Sequence, residues 1–125
     1  MKIIFFLSIF FSSFFLLSAQ SHIGLCEVEV DDVKVLNTFG YLNYSVQFLN
    51  SSSKTVDGIY WKADFYDNSG VLVQSEESAF NSGGMIEPVA PGSKKFLARV
   101  PKIKGASKVV ITILKVHFES AGNCP

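Results

Sequence analysis

The sequence is poor in charge and has no surplus of either sign: 11 Lys and Arg stand against 11 Asp and Glu, 18% of the 125 residues. A nucleic-acid binder needs a strong basic excess, so that class is excluded. An acidic disordered tail is excluded with it. Helical periodicity is missing too, because no 3.6-residue pattern runs longer than a turn, and there is no internal repeat. Cysteine is limited to Cys26 and Cys124, at a spacing that rules out a redox CxxC motif or a zinc site. The two histidines are His22 and His117, and no HExxH, GxSxG or Walker-type loop accompanies them. A chain this short is one domain at most.

What hydrophobicity there is concentrates at the start. Lys2 precedes an almost unbroken apolar run from Ile3 to Leu17, followed by Leu17-Ser18-Ala19. This is the tripartite pattern of a secretory signal peptide, and the run is too short to span a bilayer comfortably as a signal anchor. Cleavage is expected after Ala19, giving a signal at residues 1–19 and a mature domain at residues 20–125. The mean hydropathy of +0.30 is inflated by this segment. Lipidation of Cys26 is rejected, because bulky Leu25 precedes it and Gln20-Ser21-His22 interrupts the apolar run. The expected location is therefore secreted or periplasmic, with no membrane span once the signal is removed.

In an exported protein, two cysteines at opposite ends of the mature chain favour a disulfide over free thiols. A Cys26–Cys124 bridge would close nearly the whole domain, and it predicts that the first and last strands lie side by side. The intervening chain reads as short strands divided by turn signals. Residues 27–36 alternate until Asp31-Asp32 breaks the phase, as a β-bulge or a sheet-switching first strand would. Residues 41–49 place Leu42, Tyr44, Val46 and Phe48 on one face. Ile59, Trp61, Ala63 and Phe65 form a second inward stripe, and Asp67-Asn68-Ser69-Gly70 is a tight turn that closes a hairpin over residues 56–76. Residues 79–93 read as loop. Phe96, Ala98 and Val100 read as inward against Lys95, Leu97 and Arg99, with Pro101 ending the strand. Residues 109–118 are apolar on both sides as far as Leu114, which marks a central strand. Six or seven strands in this arrangement predict an all-β, immunoglobulin-like two-sheet antiparallel sandwich.

Two stretches, residues 58–73 and Val89-Ala90-Pro91-Gly92-Ser93-Lys94-Lys95-Phe96, together with Leu49-Asn50, resemble the FxLYD-type extracellular domains of bacteria. The resemblance covers roughly residues 28–117. Ala63 and Phe65 stand where that family carries Phe and Leu, and Ala90 replaces an apolar residue. The resemblance implies an Ig-like sandwich in a secreted or envelope protein.

No catalytic residue, metal site or cofactor is expected. His22 falls in a frayed N-terminus and His117 on a strand surface near Glu119. The adjacent carboxylates Asp31-Asp32 and Glu76-Glu77 point to opposite faces of their strands, so neither pair converges. Seven basic residues from Lys94 to Lys115, with no acid among them, read either as guards of sheet edges or as a basic edge for a polyanion. Tyr60, Lys62 and Tyr66 point outward from one strand and are the candidate binding residues, since exposed aromatics stack on sugars or on protein partners. Asn43 and Asn50 each head a glycosylation sequon, which in a eukaryotic protein would mark Asn50 as surface. The expected function is a non-catalytic interaction module whose partner is an envelope or extracellular protein. The alternative is a carbohydrate-binding module that uses the tyrosine face.

Overall fold

A computed structural model describes residues 21–81 and 87–125. The expected signal at residues 1–19 lies outside the described residues. Seven strands follow in order: β1 (Val28–Thr38), β2 (Tyr41–Asn50), β3 (Val56–Tyr66), β4 (Leu72–Asn81), β5 (Lys94–Lys104), β6 (Lys108–Phe118) and β7 (Gly122–Cys124). They form two antiparallel sheets, β1-β2-β5 and β4-β3-β6-β7. The chain is an all-β, Ig-like sandwich. Among the described residues no helix is long and apolar enough to cross a membrane.

The core forms where the sequence alternates most cleanly. On β2, Leu42, Tyr44, Val46 and Phe48 are buried, and on β3 so are Ile59, Trp61, Ala63 and Phe65. The two stripes interlock. Phe48 packs on Trp61 with centroids 5.1 Å apart, Tyr44 meets the edge of Phe65 at 5.7 Å, and the Trp61 indole N–H donates to the Tyr44 hydroxyl at 3.1 Å. That last bond satisfies a polar group that burial would otherwise make costly. β6 lies between β3 and β7, as its apolar sequence requires. At the β3–β4 hairpin the Asp67 carboxylate accepts N–H bonds from Ser69 at 2.8 Å and Val71 at 2.9 Å, and Gly70 supplies the left-handed residue at φ 81°.

Four expectations about the strands and the chain ends are corrected. The hairpin's second strand runs on to Asn81, so residues 79–81 are strand, not loop, and Phe80 is buried. The alternation continues through Ala79 and Phe80, and the turn-forming residues begin only afterwards. On β5 the phase is inverted. Phe96 is 62% exposed and Val100 65%, whereas Leu97 packs against the core. Lys95 and Arg99 turn inward with it, placing their cationic ends over the Phe80 ring at 4.9 Å and the Trp61 ring at 5.2 Å. Long basic side chains can lie along apolar surface in this way and cover it. Nor does Pro101 end β5, which is a sheet edge. A register shift opposite Leu42 and Tyr44, with Lys102 at φ 58°, accommodates the proline there.

The fourth correction concerns the ends. Cys26 and Cys124 are bonded, with Cα atoms 6.5 Å apart, but β1 and β7 belong to different sheets. The bridge ties the sheets together across one flank of the sandwich. Ile23 still pairs with the four-stranded sheet: its N–H donates to Ile111 O and its carbonyl accepts from Ile113 N–H, both at 2.9 Å. The chain then switches sheets through Gly24 to Glu27. A Cβ at Gly24 would sit 2.5 Å from Val28 O, and Cys26 and Glu27 adopt φ of 52° and 63°. The expected bulge is separate from this switch and lies between Val30 and Asp32.

Asn50 is not a surface residue. It is 1% exposed, and its amide donates to Lys54 O at 2.8 Å and Val89 O at 3.0 Å. Its Oδ1 accepts from the Ser52 backbone N–H at 3.0 Å and the Ser52 hydroxyl at 2.6 Å. The sequon nitrogen is therefore committed to holding the β2–β3 loop against residues 87–93.

Candidate binding site on the four-stranded sheet

The outward file of β3 carries Gly58, Tyr60, Lys62, Asp64 and Tyr66 on the open face of the four-stranded sheet. Tyr60, Lys62 and Tyr66 share that face as expected, and all three are half-buried. They do not form one aromatic platform. Six residues of extended chain put the two rings on the order of 20 Å apart. Between them Lys62 Nζ lies 3.7 Å from Asp64, which also accepts a hydrogen bond from the Ser75 hydroxyl. Lys115 Nζ stands 5.2 Å above the Tyr60 ring.

The basic run from Lys94 to Lys115 is likewise divided, because β5 and β6 lie in different sheets. Lys94 pairs with Asp31 at 3.1 Å, and Lys104 lies over Tyr41 at 4.9 Å. With Lys95, Arg99 and Lys115 each over a ring, these cations have separate local partners and do not form a continuous basic edge.

A better-built feature lies at one end of the same face. Asp57, Gly58, Tyr60, Asn81, His117 and Asn123 line a polar depression of about 320 Å³. Three local devices make it. A register shift between Val56 and Gly58 places Asp57 as an extra residue beside β6, where its carboxylate meets His117 Nδ1. Gly58 leaves the floor open: a Cβ there would lie 3.2 Å from His117 Cβ and 3.6 Å from the Tyr60 ring. Asn123 is placed by β7, one residue from the disulfide.

Sequence reasoning left His117 as a surface side chain and did not single out Asp57, Gly58, Asn81 or Asn123. One signal was present: Val56 and Ile59 are both buried although three positions apart, the same break in alternation that Asp31-Asp32 shows. Chemically, the lining offers a carboxylate, an imidazole, two carboxamides and an aromatic ring, with no Ser, Thr or Cys among them. Among the described residues no three His, Cys, Asp or Glu side chains gather as a metal site.

His22 is also not frayed. Its Nδ1 accepts the Ile111 N–H at 2.9 Å, and burial, with a smaller contribution from Lys108, lowers its pKa below 6.5. A second cavity, about 410 Å³, runs along the open face of the three-stranded sheet between Leu36 and Val100, with Asn43 Oδ1 buried there without a hydrogen-bond partner.

No family model and no curated protein matches the chain. Among solved structures it is similar to a DUF1425 family member from Shewanella sp. pv-4, at 14% identity, a TM-score of 0.52 and coverage of 70% of this chain and 76% of that one. It is also similar to cj0090 of Campylobacter jejuni, at 21% identity, a TM-score of 0.51 and coverage of 75% of this chain and 95% of that one. At these identities the likeness extends to the fold: a small β-domain built of two antiparallel sheets.

Proposed function

We propose that the chain is an exported, non-catalytic Ig-like binding module of the FxLYD type, working in the periplasm or outside the cell. The observation that carries this reading is the Cys26–Cys124 bond, which ties the two sheets over a sequence separation of 98 residues. A structural bridge of this kind belongs to oxidising compartments, and the apolar run before Ala19 supplies an export signal. The binding surface in this reading is the open face of the four-stranded sheet around Tyr60 and Lys62, presented to an envelope or extracellular protein.

A second reading, binding of a glycan, is favoured by the polar depression beside Tyr60, not by a tyrosine platform. Both readings are tested by a photo-crosslinking residue at Lys62, with Ser45 on the opposite sheet as control. The expected result is one partner captured in the intact cell envelope from position 62 and not from 45. Recovery of the chain in the cytosol with both thiols reduced overturns the proposal.

A further inference from the structure

The row of residues crossing the four-stranded sheet at the depression can be read from the pairing. Asn81 is opposite Gly58, Gly58 opposite His117, and His117 opposite Asn123. Four strands at about 4.8 Å spacing make a row on the order of 14 Å wide. It carries a polar side chain on every strand except β3, where glycine leaves a notch. Tyr60 bounds the notch on the next outward position of β3, and Asp57 lies on the other side.

We propose that this notch is a subsite for one neutral, hydroxyl-rich ring, a single sugar residue. The inference rests on the binding-module reading and assigns the ligand class of that surface. Three competing ligands fit less well. A phosphate or other anion would face the Asp57 carboxylate. A metal ion would find only Asp57 and His117 as strong ligands, too few for a closed shell. An apolar ligand would strand the polar groups of the lining.

Hydroxyls suit the site because each both donates and accepts. Asp57 and the outer nitrogen of His117 can accept O–H donors when the inner nitrogen gives its proton to Asp57. The carboxamide of Asn123 offers both N–H and C=O, Asn81 closes the row on β4, and Tyr60 offers an apolar wall to ring C–H groups. The volume is at the small end of ligand pockets, right for one ring and not for an extended chain. The groups are also pre-positioned. Asp57 is held by the bulge, His117 by Asp57, and Asn123 by the neighbouring disulfide, so little ordering is needed on binding.

The test is NMR titration of the oxidised, processed chain with glucose, galactose and N-acetylglucosamine, with galacturonate and inorganic phosphate as charged probes. A neutral sugar is expected to shift the signals of Asn81, His117 and Asn123 saturably, with roughly millimolar affinity for so small a contact. Asn123→Ala and Gly58→Ala should each weaken it at least tenfold, and Tyr66→Ala, far along the same face, should leave it unchanged. Asn123 is exposed, so its variant keeps the test valid if Gly58→Ala fails to fold. Absence of neutral-sugar shifts, a stronger response to galacturonate or phosphate, or equal loss in Tyr66→Ala overturns the subsite. If a protein partner is still captured from position 62, the sugar inference alone fails. If neither sugar nor partner is found, the binding-module reading fails with it.

Discussion

Replacing both cysteines, Cys26→Ser with Cys124→Ser, removes the covalent tie between the sheets. The bridge closes a sequence separation of 98 residues, and the chain-entropy relation for that length gives about 4.7 kcal/mol at 25 °C. With an unfolding entropy of about 2.1 cal/mol/K per residue, a domain of roughly a hundred residues converts this into a fall of about 20 °C in melting midpoint. The effect resides mainly in the unfolded chain, which gains freedom when the loop is open. Two further consequences follow. The denaturant m value should rise, because the open chain exposes more surface on unfolding. Local loosening should be confined to β7, which is held to β6 only by the pairs Val116–Cys124, His117–Asn123 and Phe118–Gly122. Calorimetry, urea titration and amide exchange measure all three. A midpoint that falls by less than about 5 °C with an unchanged m value refutes the entropic reasoning.

Asn50→Ala should destabilise the fold by about 2 kcal/mol in urea titration, because it leaves the Ser52 N–H without its acceptor and removes two amide bonds, while Lys54 O and Val89 O keep the Ser52 hydroxyl and the Val56 N–H as donors; a loss under about 0.5 kcal/mol would show that water replaces the amide. His22 should make the first pairing pH-dependent. Its pKa is lowered in the folded chain, so its contribution is complete above pH 6.5 and is lost as pH falls from there through the lowered value. Intrinsically corrected amide exchange at Ile111 and Ile113 should therefore quicken on acidification, and His22→Ala should abolish that pH dependence. Phe96→Ser should change stability by no more than about 0.5 kcal/mol, whereas Leu97→Ser should cost about 2 kcal/mol; the reverse order in thermal melts would restore the phase first read from the sequence.

How much of this could be read in advance depended on whether side chains signalled their own burial. β2 and β3 were legible because Leu42 to Phe48 and Ile59 to Phe65 alternate with polar residues, so hydropathy and geometry agree. The bulge at Asp31-Asp32, the Asp67 turn and the cysteine pair were legible for similar reasons, since each uses a residue type suited to one task. β5 misled because Lys95 and Arg99 bury their stems and rings take their charges, while Phe96 faces outward on an edge strand. Asn50 was not singled out, because its sequon would mark surface only in a eukaryotic protein and gives no sign of an amide that matches four groups of two loops. The depression was hidden for a different reason. Its residues come from four strands, and only the pairing register brings Asn81, Gly58, His117 and Asn123 into line.

The two flanks of the sandwich are shut by different chemistry. Between β1 and β7 there is a sulfur–sulfur bond. Between β4 and β5 there is Arg99, which lies over Trp61 and donates to Ala98 O at 2.9 Å and Ala79 O at 3.1 Å, so one guanidinium reaches backbone on both open edges. Reductant therefore acts on one side alone, and a reduced molecule resembles a book still bound along its arginine spine: it can gape at the chain ends while the opposite margin keeps its strands from pairing with a stranger.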